Sequence, residues 1–198
     1  MTANDLSRAS LPPMTRSAAG THPASFPTAS LSAEEFKTVF RGHPGGVAVI
    51  TADAGDGPVA LTATSVSSVS AEPPLLIFSL SAISSAAPTI AAADTVVVHL
   101  LDAHDLELAK LAATSGIDRF ADTSLWARLP TGEPVFPGAR AWLRCAIINR
   151  MDAGASTVIA AQALQHQITR DVEPGEPADA LVYHNRSWHR LGEHSQLG

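Results

Sequence analysis

Side-chain hydroxyls are crowded into one short stretch of this chain. Six of the nine residues from Thr62 to Ser70 are serine or threonine, and a Pro-Pro pair and the apolar run "LLIFSL" follow them. In an extended strand, Thr62 and Thr64 would share one face, while Leu61 and Ala63 would share the other. Such a face can hold a polar ligand by neutral hydrogen bonds. The alternative is an edge strand made soluble by threonine and serine.

A second group of hydroxyls follows the next strand-like run. Its members are Ser79, Ser81, Ser84 and Ser85. They come just before a short predicted helix at Pro88. Backbone N–H groups at a helix start, together with nearby hydroxyls, form a site for a phosphate group even without lysine. Spacing alone leaves two interpretations open, a site for a phosphorylated ligand and an edge strand made soluble by its hydroxyls.

Other reactive side chains give weaker signals. His184 and His189 lie five residues apart without a nearby acid to complete a metal triad, so no metal site is expected. His99, within "VVVHLL", is expected to be a core histidine with a satisfied ring. Cys145 is the only cysteine, which excludes a disulfide framework and a thiolate metal cage. The pattern favours neither a hydrolase nor a metalloenzyme.

Composition limits the class of protein. The chain has 198 residues, of which 45% are hydrophobic and 16% charged, as expected for a globular domain with a sizeable core. The net charge of −6 and the lack of a basic run argue against nucleic acid as a partner. We find no apolar stretch of membrane-spanning length and no secretory signal. A cytoplasmic protein without a membrane partner is predicted.

The chain divides into three parts by composition. Residues 1–30 are rich in serine, threonine, alanine and proline without any period, which predicts a flexible N-terminal extension. Residues 31–192 are expected to form the domain, and residues 193–198 a tail. The domain begins with a predicted helix, because Ser32 and Glu35 form a capping box.

The rest of the domain is predicted to be mainly β with short helices. About eight strand-like runs follow the first helix, beginning with "GVAVITA" and "PVALTATS", and the turn-rich "DAGDG" joins these two as a hairpin. Helices are predicted at "AAPTIAAAD" and at "AHDLELAKLAA", which Asp102 can cap. No regular strand–helix alternation and no dinucleotide fingerprint are present. A closed or split antiparallel barrel fits this pattern best.

Several of these segments resemble the flavin reductase-like family. The segments are "FRGHPGGVAVITA", "TATSVSSVSAEPPLLIFSL", "SSAAPTIAAAD", "DRFAD" and "LVYHNRSWHRL", in matching order from Phe36 to Leu191. The resemblance implies a split antiparallel β-barrel of the FMN-binding flavin reductase type. It also implies a homodimer, FMN or FAD as the flavin, NADH or NADPH as the hydride donor, and a separate monooxygenase that receives the reduced flavin.

The resemblance assigns roles to individual residues. Hydroxyls expected along the flavin ring edge and ribityl chain are those of Thr62, Thr64, Ser65 and Ser70. Those expected at the phosphate end belong to Ser84 and Ser85. Phe120 is expected to line the ring, with core packing as the alternative. No general base is needed, and none is assigned.

The chain departs from the family pattern at three places. Gly154-Ala155-Ser156 replaces the Gly-Asp-His that helps to place the nicotinamide nucleotide, which leaves that site open. Ala86 stands where a threonine is common at the phosphate end, and Asp122 adds a negative charge after Phe-Ala. Arg119 or Arg41 could compensate for that charge if either reaches the ligand.

Three functions remain open at this point. The first is a flavin reductase that supplies reduced flavin to a partner monooxygenase. The second is a split-barrel protein that binds flavin or another planar aromatic ligand without reduction and was recruited to a biosynthetic step, which the altered Gly154-Ala155-Ser156 favours. The third is a structural or partner-binding barrel, which the hydroxyl cluster argues against.

Overall fold

The computed structural model describes residues 30–171 and 179–197, so the predicted extension lies, apart from Ser30, outside the described residues. The first helix, α1, spans Ala33–Arg41. Its predicted capping box is confirmed, because Ser32 Oγ accepts a hydrogen bond from the Glu35 N–H at 3.2 Å, and the Ser32 N–H donates to Glu35 Oε2 at 2.8 Å. None of its residues is buried.

Strands are the main regular secondary structure of the described residues. They are β1 (Gly45–Gly46), β2 (Ala48–Ala52), β3 (Val59–Ala63), β4 (Ser67–Ala71), β5 (Pro74–Ser81), β6 (Thr95–Leu100), β7 (Ala127–Arg128), β8 (Pro134–Val135), β9 (Ala141–Ala153), β10 (Ser156–Ile168), β11 (Leu181–His184) and β12 (Ser187–Arg190). Two further helices, α2 (Ala87–Ala92) and α3 (Leu106–Ala113), confirm the predicted positions. No helix within the described ranges is both long and apolar enough to cross a membrane.

Seven strands form one antiparallel sheet in the order β3-β2-β6-β9-β10-β5-β4. Its two edges, β3 and β4, are consecutive in the chain and are joined only by residues 64–66. A flat sheet of this size would hold its edges roughly 29 Å apart. The chain from Ala63 to Ser67 can span at most about 14 Å. The sheet must therefore roll up until its edges approach, which confirms the predicted split antiparallel barrel.

Strand β2 separates two apolar cores. All five of its residues are buried, and their side chains point alternately to opposite faces. Ile50 packs in the barrel core with Phe78 and Ile159. Val49 packs in a second core, which includes Phe136. The second core lies beneath α3 and the long loop that follows it, so it supports whatever that loop carries.

The buried histidine of β6 holds this second core together. His99 is fully buried; its Nδ1 lies 3.0 Å from the Val49 carbonyl, and its Nε2 accepts a hydrogen bond from the Phe136 N–H at 3.0 Å. Because Nε2 accepts, Nδ1 carries the proton. Burial lowers the pKa of His99 to about 4, which keeps the ring neutral. The prediction of a satisfied core histidine is confirmed.

Candidate functional site

Two depressions lie near the end of β3, one lined by Leu61 and Thr62 of the strand and the other by residues 64–67 that follow it. The first, which we call the hydroxyl pocket, has a volume of about 360 Å³. Its polar lining comprises Thr62, Ser84, Ser85, Ser115 and Arg119. The second, which we call the cationic groove, has a volume of about 740 Å³. Its lining includes Phe36, Phe40, Arg41, Thr64, Ser65 and Arg186.

The hydroxyl pocket brings together three of the serine and threonine residues singled out in the sequence. Thr62, in β3, donates its hydroxyl proton to the Ala109 carbonyl of α3 at 2.6 Å, so it pins the helix to the strand and retains only its lone pairs for a ligand. Ser84 Oγ accepts from the Ala86 N–H at 3.3 Å. Ser85 makes no side-chain hydrogen bond within the described residues, so its hydroxyl is available.

Arg119 adds the pocket's positive charge. One terminal nitrogen of its guanidinium donates to the Thr114 carbonyl at 2.8 Å. Its Nε is buried and has no hydrogen-bond partner among the described residues. A buried donor without a partner is costly and rare in folded proteins. An anionic oxygen bound beside Ser84 and Ser85 would satisfy it by a charge-assisted hydrogen bond.

Phe120 does not line either depression. Its side chain is only 7% exposed, and its ring packs against Phe136 and Trp126 at centroid distances of 5.5 and 5.0 Å. The expectation that it lines a flavin ring is therefore not supported, and the alternative of core packing describes its position. Because it directly follows Arg119, its burial anchors the part of the loop that carries the guanidinium.

Asp122 also lies away from both depressions. Its carboxylate is exposed and accepts hydrogen bonds from the Ser124 N–H at 2.9 Å and the Ser124 hydroxyl at 2.6 Å. These bonds lower the pKa of Asp122. The extra negative charge noted in the sequence thus caps a turn.

The cationic groove holds the hydroxyls that follow β3. Ser65 Oγ accepts from the Ser79 N–H of β5 at 3.0 Å, so this side chain fastens the connection to the strand beside the β4 edge of the sheet. Thr64 is exposed, and its hydroxyl has no partner within the described residues. A Cβ on Gly45 would lie 2.9 Å from both Cβ and O of Thr64, so only glycine permits this close approach. Gly45 thereby brings the β1-β11-β12 sheet against Thr64.

Ser70 is not brought to either depression. It lies in β4, half-buried, opposite Leu75 of β5 and beside an irregularity in the pairing between Ser68 and Ser70. Its predicted role along the flavin is therefore not supported by the arrangement of a single chain.

The segment that replaces Gly-Asp-His forms the turn between β9 and β10. Gly154 has a φ of +65°, a left-handed conformation that suits glycine. The Ala155 carbonyl accepts from the Ala82 N–H at 3.0 Å, and Ser156 pairs with Ser81. The turn thus lies beside residues 81–85, which lead into the hydroxyl pocket. The turn places the hydroxyl of Ser156 beside residues 81–85, but it contains no histidine.

Sequence reasoning missed the charges of the cationic groove. Lys37, Arg41 and Arg186 all line the groove. The sequence pattern singled out only Arg41, as a cation that could compensate for Asp122. The Lys37 ammonium beside Glu34 lowers the pKa of that carboxyl, and Arg41 and Arg186 act in the same direction from farther away. The segment "HNRS" could have indicated Arg186, because an arginine stands at the turn position where glycine is favoured.

Known proteins share this fold and much of this sequence. Residues 40–192 match the model of the "Flavin reductase like domain" family. The chain is similar to the "NADH:FMN oxidoreductase" of Rhodococcus qingshengii, with 41% identity over 160 residues that cover 81% of this chain and 82% of that protein.

Two solved structures resemble the chain as well. The "flavin reductase domain protein" of Arthrobacter sp. FB24 is 31% identical, with a TM-score of 0.73 over 79% of this chain and 94% of that one. BorF, "the Flavin Reductase Component of a Bacterial Two-Component Tryptophan Halogenase", is 28% identical, with a TM-score of 0.70 over 82% of this chain and 99% of that one.

Proposed function

This chain belongs to the flavin reductase-like family, and we propose that it is an NAD(P)H-dependent flavin oxidoreductase that acts on FMN or FAD. The observation that carries the proposal is the hydroxyl pocket, where the unpartnered Nε of Arg119 lies with Ser84 and Ser85. That donor set suits a phosphate group.

The residues present fit a phosphorylated flavin. Arg119, Ser84 and Ser85 would hold the phosphate end, and Thr62 and Thr64 would follow the ribityl chain. Thr62 is in β3 and lines the hydroxyl pocket, whereas Thr64 directly follows β3 and lines the cationic groove, so the two threonines lead from one depression toward the other. Ser65 would meet the ring edge. A bound flavin supplies the redox chemistry, accepting a hydride from the nicotinamide ring of the donor.

The chain's own residues bind and orient; none is needed to move a proton. Neutral hydroxyls and one arginine give a site of modest affinity, because each neutral hydrogen bond contributes only about 1 kcal/mol. Modest affinity suits a flavin that must leave after reduction. We therefore propose that the reduced flavin passes to a separate monooxygenase, in keeping with the two-component system to which BorF belongs.

Anaerobic mixing of the purified protein with FMN and NADH tests the function. We expect the yellow absorbance of oxidised flavin to disappear at a rate proportional to protein concentration. Persistence of the colour with both NADH and NADPH would overturn the proposal. NADH oxidation that depends on added FMN, measured in air, provides the steady-state counterpart.

One observation favours a second candidate, flavin binding without reduction. The turn at Gly154-Ala155-Ser156 lacks the acid and the imidazole that are common in the family. A protein of this kind would bind FMN in a titration but leave the absorbance unchanged on addition of NADH. If the turn limits hydride transfer, Ser156→His should raise the rate, whereas an unchanged rate would remove that explanation.

We further propose a homodimer formed through the outer face of β5 and β10. Leu75, Ile77 and Val158 lie on this face, opposite the buried Phe78 and Ile159, and are only half-buried in one chain. Paired residues on adjacent strands share a face, so the apolar patch continues to Met151, which is 58% exposed. A second copy would cover it.

Sedimentation velocity tests the dimer. Val158→Asp should shift the protein toward monomer, because a carboxylate would be buried in the interface. Ile117→Asp, on the loop after α3, is the matched control and should leave the dimer intact. A monomeric wild-type protein at micromolar concentration would contradict the proposal.

A cytoplasmic location is part of the same proposal. The single cysteine, Cys145, is buried and unpaired, and burial raises the pKa of its thiol to about 12. Small proteins of oxidising compartments commonly carry disulfides, and one cysteine cannot form one within the chain. Fractionation of cells that produce the native chain tests the location.

A further inference from the structure

Two arginines of the cationic groove are not hydrogen-bonded to any carboxylate of the described residues, although both lie close enough to Glu34 to lower the pKa of that carboxyl. The guanidinium groups of Arg41 and Arg186 make no hydrogen bond or ion pair within residues 30–171 and 179–197. By contrast, Arg144 and Arg170 bind carboxylates at 2.6–3.0 Å. Lys37 also lines the groove, but its ammonium is paired with Glu34 at 2.9 Å.

The fold holds the two arginines beside each other. Arg41 is the last residue of α1, and its carbonyl accepts a hydrogen bond from the Asn185 N–H at 3.1 Å. Arg186 follows Asn185 in the tight turn between β11 and β12. Like charges on one groove repel each other. A chain with a net charge of −6 that gathers unpaired cations here has the electrostatics of an anion site.

The backbone of the turn gives an independent indication. Asn185 and Arg186 have φ angles of 46° and 63°. Asparagine tolerates the left-handed conformation, whereas the second position of such a turn strongly favours glycine. Arg186 therefore occupies a backbone conformation that favours glycine. Such conformations cluster at functional sites, which indicates that the arginine side chain has a function here.

The groove also offers surfaces for a planar ring. Phe36 and Phe40 are each 54% exposed, and their ring centroids lie 4.6 Å apart. The groove's volume of about 740 Å³ is in the range of small-molecule sites. Cations, hydroxyls and aromatic faces together suit a nucleotide, which carries both phosphates and a planar base.

We propose that the cationic groove binds the phosphate groups of the nicotinamide dinucleotide, with Arg41 and Arg186 as the phosphate ligands. The inference rests on the proposed function and deepens it. Thr64 lies where the groove meets the path from the hydroxyl pocket, so a dinucleotide held here adjoins the flavin site. Anchoring by phosphates would place the donor without the missing histidine of the β9–β10 turn.

Isothermal titration of the purified protein with NAD⁺ and NADP⁺, at low salt to limit screening, tests the site. Arg41→Gln and Arg186→Gly should each weaken binding by about tenfold, the size of a charge-assisted hydrogen bond. The dissociation constant for FMN should stay within about twofold of wild type, because neither arginine is assigned to the flavin and so no charge-assisted hydrogen bond to FMN is lost. Arg190→Gln is the matched control, because Arg190 lies on β12 and is paired with Asp179 at 2.7 Å.

The glycine variant separates binding from folding. Glycine adopts the left-handed conformation more readily than arginine, so Arg186→Gly should melt at the wild-type temperature or above while binding NAD⁺ more weakly. Unchanged NAD⁺ affinity in both variants would overturn the site. Loss of FMN affinity in place of NAD⁺ affinity would also overturn it, because the groove would then hold the flavin's phosphate.

The site and the proposed function can fail separately. If wild-type protein binds NAD⁺ in a manner that depends on Arg41 but does not bleach FMN with NADH, the site stands and the reductase function fails. If NADH reduces FMN with the same KM for NADH in wild type and both variants, the function stands and the site fails.

Discussion

Two hydroxyls of the hydroxyl pocket and two arginines of the cationic groove differ in whether they are already bonded within the chain. In the pocket, Thr62 and Ser84 hold α3 and the start of α2 in place. In the groove, Arg41 and Arg186 have no such partners among the described residues. A dense run of hydroxyls therefore indicates scaffolding as much as binding, whereas unpaired charge is the stronger sign of a ligand.

The hydroxyl pocket and the cationic groove also differ in how deeply the elements that carry them are packed into the core. The pocket's arginine is carried by a loop whose Phe120 is buried against Phe136, and His99 in turn binds the backbone of Phe136. The groove is built on α1, which has no buried residue, and on a two-residue turn. We expect the pocket to be sensitive to core changes and the groove to be insensitive to them.

Replacing one phenylalanine by alanine in each region should give the largest difference in the free energy of unfolding. Phe120→Ala removes a ring that is 7% exposed and should lower the free energy of unfolding by about 3–5 kcal/mol. Phe40→Ala removes a ring that is 54% exposed and should lower it by less than about 1 kcal/mol. Denaturant titration measures both. Equal losses would show that the two supports do not differ.

Acid should weaken the support of the pocket through His99. The pKa of His99 is about 4 in the folded chain and near 6.5 when exposed, so the unfolded state binds the proton more readily. Its stabilising effect is fully present above pH 6.5 and is lost as the pH falls toward 4, by about 3 kcal/mol in total. His99→Gln should flatten the dependence of unfolding free energy on pH across this window. A slope unchanged in the variant would assign the effect to other groups.

Removing the charge of each region should separate their ligands. Arg119→Gln should weaken FMN binding by about 10- to 100-fold, the effect of a hydrogen bond from a charged donor of about 1.5–3 kcal/mol. Arg41→Gln should leave FMN binding almost unchanged. Quenching of flavin fluorescence measures both constants. Similar losses of FMN affinity in the two variants would show that the hydroxyl pocket and the cationic groove both bind the phosphate of FMN.

Two serines should give the smallest and most specific contrast. Ser65→Ala and Ser85→Ala should each weaken FMN binding by about 1 kcal/mol. Only Ser65→Ala should also lower the free energy of unfolding, because Ser65 accepts the Ser79 N–H while Ser85 has no described partner. Unchanged FMN affinity in both would show that neither side chain contacts the flavin.

Local patterns carried most of the fold prediction. The capping box at Ser32 and Glu35, the hairpin between β2 and β3 and the helix near Pro88 formed as predicted. Asp102 caps a short 3-10 helix, Ala103–Asp105, and α3 follows it. Each depends on residues within a few positions of one another, so a single segment contains the whole signal. The site was harder to predict from sequence. Ser70 and Phe120 were expected along the flavin, but neither lines the hydroxyl pocket or the cationic groove of one chain.

The sequence by itself determined which segments form strands and helices and that a dense group of hydroxyls follows β3, because backbone preference acts over short distances. Only the tertiary structure decided which hydroxyls are hydrogen-bonded within the chain, as those of Thr62 and Ser65 are. It also decided that Arg41 and Arg186 line the same groove. Residues 64–66 draw the two edges of a seven-stranded sheet together, and Gly45 brings the β11–β12 turn to the same place. Contacts between distant segments depend on how the whole sheet closes, and no local pattern encodes that closure.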